Sequence, residues 1–338
     1  MTQYDLSPLT DALPREAAEL LERMGISGAD FSGLFSVSLR DVLQGVFGVF
    51  QGALREPLRF LAAGACVLIL LCVTDVFGEK QSPTRTFLGS LFLIAACAVP
   101  FRNMIAAAVA AVRTGSAFMA TLIPILGAVV AASGSPVLSV CWQTAVFSAA
   151  EVVAAAASGF MAPACGLMLG VGVLETISAD ASGLCEKIRK TAVRVFSAMA
   201  TLFTAFLSLK GTLAGAADTV AAKGVKLAVS TFIPVVGTQL GEAYASVAGS
   251  LAAVRATAGV FAVAGVCAAA LPAAAQMLLW LASLRILTLF ADLLGRKNAS
   301  HLFGAFSAAL SVLHACLLFV TVLYVLALGV ILTIKADL

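Results

Sequence analysis

Apolar runs, some of helical and some of membrane-spanning length, alternate along this chain with short polar breaks. Near the N-terminus a short amphipathic helix is predicted: Pro14 opens it and Gly25 can close it, since proline suits a first turn and glycine a C-terminal cap. A second is predicted from Ser38-Leu-Arg-Asp41, a capping-box-like start. It places Leu39, Val42, Leu43, Val46, Phe47 and Phe50 on one face. That face lies either on the membrane or on the protein's own bundle.

Beyond residue 58 the runs lengthen. A transmembrane helix needs about 20 predominantly apolar residues. Spans are expected at Phe60–Phe77 and at Thr86–Phe101, the latter ended by Arg102 and Asn103. Thr114–Ala150 carries no charge and is long enough for two crossings around Ser133-Gly-Ser-Pro136. Further uncharged runs follow Glu151 as far as Leu174, and then occupy Val195–Leu209, Ala256–Leu284 and Asn298–Ile334. Together they predict about eight crossings. Lys210–Ser230 is small and semi-polar, with Asp218, Lys223 and Lys226, and Leu227–Gly237 is too short to cross. That stretch reads as an interfacial helix leading into a re-entrant dip, tolerated only where protein or water surrounds it. The expected architecture is an all-α polytopic membrane bundle. Residues 1–58 form an amphipathic segment at the membrane surface, 59–104 the first two spans, and 105–209 and 210–338 two related membrane units.

Composition agrees. Of 338 residues, 61% are hydrophobic and 12% charged, and the mean hydropathy is +1.04. A soluble domain carries about 25% charged residues, so part of this chain's solvent is lipid. The net charge of +3 is too small to argue for nucleic acid. Eight scattered cysteines without a C-x-x-C pair indicate neither a disulfide framework nor a zinc site, and they read as small buried hydrophobes. No basic region precedes an apolar core at the N-terminus, so no signal peptide is expected there.

Two apolar runs carry a proline in nearly the same words: Thr121–Gly127 is T-L-I-P-I-L-G and Thr231–Gly237 is T-F-I-P-V-V-G. Pro163 follows Pro124 at nearly the spacing at which Pro272 follows Pro234, and a basic loop follows each. Upstream, Ala106, Ala107, Ala111 and Arg113 stand in register with Ala216, Ala217, Ala221 and Lys223. The repetition favours an internal duplication with matched helix breaks at Pro124/Gly127 and Pro234/Gly237, as in transport folds whose broken helices meet near the midplane. The plainer alternative is that each proline kinks a helix that its neighbours repair.

Ionisable residues at membrane depth are expensive. Glu151, between two long apolar runs, is a candidate pore-facing group or a partner for Arg255 or Arg285. His314, alone on an apolar helix, reads as a packed or hydrogen-bonded histidine. Gly166-Leu-Met-Leu-Gly170 is a G-x-x-x-G and argues for tight helix packing. With two histidines and no phosphate loop, metallo-hydrolase or nucleophile-elbow motif, neither an enzyme nor a cofactor is expected. Energy input would come from a partner or a gradient. Lys80/Arg85, Lys187–Arg194 and Arg285–Lys297 fall on one side of the eight-span arrangement, which would be cytoplasmic. Arg102, Arg113, Lys210, Lys223 and Lys226 fall on the other.

Ala222–Gly237 (A-K-G-V-K-L-A-V-S-T-F-I-P-V-V-G) resembles the signature of the stage III sporulation protein AE family of endospore-forming bacteria. So does its continuation through Ala270-Leu-Pro-Ala273 to the closing span Val312–Ile334, and so does Phe118–Gly127 with Ser133-Gly-Ser-Pro136. The resemblance implies a polytopic component of the channel between mother cell and forespore, in the mother-cell membrane that surrounds the forespore. The implied partners are other stage III sporulation A proteins, including a secretion-type ATPase, and a forespore-side channel protein. Membrane lipid and further copies of the chain are the other expected contacts. Three roles compete: pore or export-gate subunit, free-standing secondary transporter, and passive scaffold.

Overall fold

The computed structural model describes residues 15–23, 39–76, 83–132, 136–159, 161–177, 183–232 and 237–333. Among these residues the chain is helical, with turns at Leu54 and around Gly183 and Gly295. In chain order the helices are α1 Arg15–Arg23, α2 Leu39–Ala53, α3 Arg55–Val76, α4 Pro83–Ala132, α5 Pro136–Gly159, α6 Met161–Ile177, α7 Leu184–Phe232, α8 Gly237–Leu293 and α9 Lys297–Thr333.

The two N-terminal helices lie within the stretches where they were expected, and their expected cap residues Pro14, Gly25 and Ser38 fall outside the described residues. On α1, Ala17, Leu20 and Leu21 are buried, and the helix packs on α8. On α2, Val46 and Val49 pack on the core while Leu43 and Phe47 face outward, 60% and 69% exposed. The α1 stripe is therefore covered by the bundle, and the α2 face is divided between bundle and exterior.

By length and composition, four helical stretches among the described residues can cross a membrane: Arg55–Val73, Leu88–Ala132, Thr257–Leu293 and Lys297–Gly329. Three of them coincide with expected spans. The fourth merges two, because α4 runs unbroken through Arg102-Asn103, where a span end was expected. Polarity marks where water begins but does not turn a chain. Arginine is a good helix former, and the alanines of 106–111 have the highest helix propensity of all. At 50 residues α4 is about 75 Å long, more than twice a bilayer core of about 30 Å. The Lys210–Ser230 stretch behaves likewise: expected as a separate interfacial helix, it is the continuation of the 49-residue α7. The expected crossings at 152–174 and 195–209 fall in α5, α6 and α7, and part of their side chains lies outside the described residues.

The bundle is organised around α9, which packs against α8, α7, α6 and α4. Leu302, Phe303, Ala309, Leu313, Leu317 and Tyr324 are all buried on it. The α8–α9 connection is tight. Gly295 has φ +70°, its N–H bonds the Asp292 carbonyl at 3.0 Å, and the Arg296 N–H bonds the Ala291 carbonyl at 2.8 Å. This is a Schellman cap, which needs a left-handed residue and so favours glycine. From that turn the Arg296 guanidinium reaches across to donate to the Leu71 carbonyl near the end of α3. Outward-facing Leu91, Phe92 and Val99 of α4 and Leu278 and Leu289 of α8 leave large apolar side chains uncovered. A soluble monomer rarely tolerates this on such a scale, whereas a lipid-facing surface requires it.

Candidate functional site: a polar seam and an open groove on one helix

The first proline motif lies inside α4, and the helix continues through it: Pro124 is exposed and Gly127 is buried. The break expected there is thus a proline within a continuous helix. The ring removes one intrahelical donor and leaves the carbonyl four residues back without it. One turn before, Thr121 Oγ1 donates to the Ala117 carbonyl at 3.2 Å, a back-bond of the kind that bends a helix. Gly127 has a packing role. Ser139 Oγ of α5 donates to the Gly127 carbonyl at 2.7 Å, and Gln143 Nε2 donates to Ser139 Oγ at 3.0 Å. A Cβ on Gly127 would fall 2.0 Å from Gln143 Nε2, so the glycine is what lets α5 lay this side chain against α4.

Two further bonds stitch the same seam to the central helix. Trp142 Nε1 of α5 donates to the Ala327 carbonyl at 2.7 Å, and Ser116 Oγ of α4 and Tyr324 Oη of α9 are 2.7 Å apart. Interhelical bonds in an apolar surround fix one helix register against another and are worth about 0.6–2 kcal/mol each.

The other named residues are placed differently. Pro163 stands in the first turn of α6, where its missing N–H costs nothing, whereas Pro272 lies in the middle of α8. The two prolines expected to be equivalent therefore occupy unlike helical positions. Pro234 lies outside the described residues, and Gly237 is the first residue of α8. Glu151 is in α5 and Arg255 in α8, with side chains outside the described residues; Arg285 is exposed on α8. Of the cysteines, Cys97, Cys165, Cys185 and Cys316 are buried and Cys66 and Cys267 exposed. His314 is half-buried, and its Nδ1 meets no partner among the described residues.

On its outer side α4 borders a groove of about 800 Å³, closed by α6 and α9. Its walls are apolar: Ile105, Ala106, Val109 and Ala110 on α4, Leu169 on α6 and Phe306 on α9. Arg102 and Arg113 line it as well. Eleven residues is almost a whole number of turns, so the two arginines share a face, about 16 Å apart along the axis. Neither makes an ion pair or side-chain hydrogen bond among the described residues, and α4 contains no carboxylate. Phe101 and Phe306 close the inner side as an edge-to-face pair, with centroids 5.5 Å apart.

The G-x-x-x-G on α6 has a different role from the one its pattern suggests. A Cβ on Gly166 or Gly170 would meet nothing within 4 Å, and Gly170 lines the groove. Tight packing falls on Gly172 instead, where a Cβ would lie 2.1 Å from the Ala305 Cβ of α9. Away from the groove, at the start of α7, the described residues carry ion pairs. Glu186 accepts from Arg189 Nε at 2.7 Å and Nη2 at 2.5 Å, with Lys190 Nζ at 3.5 Å. The Arg189 hydrogen bond holds the Glu186 carboxyl below its ordinary range.

Residues 29–335 match the family model of stage III sporulation protein AE. The chain belongs to the stage III sporulation protein AE family. Stage III sporulation protein AE of Bacillus subtilis (strain 168) is similar at 24% identity over 211 residues, covering 62% of this chain and 53% of that one. The match thus spans about half the length of that curated relative. No solved structure matches the chain. Family membership together with four helices able to span a bilayer makes this a membrane protein of the sporulation family. The seam of Gln143, Ser139, Trp142 and Tyr324 and the arginine-flanked groove were not singled out in the sequence. Arg102 and Arg113, on one helix face with small residues between them, are the signal that could have found the groove.

Proposed function

We propose that this chain is an integral membrane subunit of the complex linking mother cell and forespore, acting as a pore or export-gate component in the mother-cell membrane around the forespore. The family match over residues 29–335 carries this reading. Helices too long for a single perpendicular crossing, tied by interhelical hydrogen bonds rather than by apolar contact alone, support a gate-like element. Its partners in this reading are the other stage III sporulation A proteins, including a secretion-type ATPase, and a forespore-side channel protein. The proposed internal duplication would supply two related halves to the gate.

Deletion of the gene from the organism that carries it should block sporulation and impair forespore gene expression, and a tagged copy should accumulate at the membrane around the forespore. Normal sporulation in the deletion strain would sink the proposal. The purified protein alone in liposomes should show no gradient-dependent uptake; uptake would favour the secondary transporter. A pure scaffold would keep full channel function when Pro234 or Glu151 is replaced.

A further inference from the structure

We propose that the groove between α4, α6 and α9 is a binding site for an anionic phospholipid, its acyl chains lying along α4 and its phosphate drawn by Arg102 and Arg113. Two observations converge on this class of occupant. The walls are apolar along their length, with Ala106, Ala110 and Gly170 keeping them low, so the occupant is mainly hydrocarbon. Two guanidinium groups flank that hydrocarbon path without a carboxylate on their own helix and without an ion-pair partner among the described residues, so the occupant's polar part is anionic. In a membrane, phospholipid is present at saturating local concentration, and an open apolar groove of this kind admits slender acyl chains.

Gly170 makes the site testable by obstruction. A side chain there meets nothing within 4 Å, so a large residue can project into the groove without displacing a helix. The experiment is native mass spectrometry of the purified full chain in detergent, titrated with phosphatidylglycerol or with phosphatidylcholine of the same acyl chains. The wild-type chain should retain phosphatidylglycerol preferentially. Attraction between a basic side chain and an anionic lipid corresponds to about fivefold in binding per arginine. Arg102→Gln and Arg113→Gln should each reduce the preference by about that factor, and the double variant should abolish it while phosphatidylcholine retention is unchanged. Gly170→Phe should lose both lipids with an unchanged melting midpoint, which separates obstruction from misfolding.

Equal retention of the two lipids by the wild-type chain would overturn the assignment. So would full preference surviving in the double variant, or unhindered binding to Gly170→Phe. Displacement of the lipid by inorganic phosphate alone would reduce the site to an anion site and also refute it. The same holds if photo-crosslinks from Val109 land on a second copy of the chain rather than on lipid.

Discussion

The α8–α9 hairpin and the outer face of α4 are built from much the same residues and end in opposite states. In the hairpin, alanine, leucine and phenylalanine interlock around α9, and Gly295 turns the chain back with the Ala291 and Asp292 carbonyls capped. On α4, alanines and a glycine from α6 leave space, and two arginines stand beside it. Small residues close a bundle where the facing helix comes near and open it where the facing helix stays away. Gly172 and Gly170 show this two residues apart on one helix: the first touches Ala305, the second faces the void.

The strongest way to break the closed half is Phe303→Ala. Its side chain is fully buried on the central helix, and the cavity left behind should cost about 3–5 kcal/mol, read as a lowered melting midpoint in mild detergent. Next comes the paired test on α6. Gly172→Ala forces a methyl group into Ala305 and should cost about 1–3 kcal/mol, whereas Gly170→Ala should leave the midpoint unchanged. Equal effects from the two would erase the distinction between closed and open faces.

Ser139→Ala tests the seam. It removes the donor to the Gly127 carbonyl and the acceptor for Gln143, and should cost about 1 kcal/mol, with little further loss when Gln143→Leu is added. The smallest effect concerns Glu186. Its carboxyl is depressed in the folded chain, so its contribution is complete above the ordinary value of 4.5 and fades as pH falls through the lowered folded value. With the side chain 45% exposed, solvent screening limits this to a few tenths of a kcal/mol. The difference in midpoint between the wild-type chain and Glu186→Gln should therefore narrow only below that pH.

Much of the bundle was legible in the residues. The apolar face of α2, the basic turn at Arg296-Lys297 and the apolar runs of α3, α8 and α9 all follow from local chemistry. The joins were misread where polarity stood in for geometry. Arg102-Asn103 and Lys210 looked like ends because they are charged or polar, yet nothing there disfavours helical backbone angles. Pro124 looked like a break because a proline costs a hydrogen bond, yet one lost bond shortens no helix when packing on both sides holds it. The site was the least legible part, because a groove is an absence of side chains and its outline depends on three helices distant in sequence.

Composition and periodicity by themselves determined a helical membrane chain, because burial of backbone polar groups in lipid leaves the helix as the local solution; its family was legible only through the resemblance of Ala222–Gly237 and the motifs around it. Which glycine is squeezed and which lies open, which polar side chains meet across helices, and where two arginines border an unfilled space were decided only by the tertiary structure. Those properties belong to the distances between helices, and no residue carries them alone.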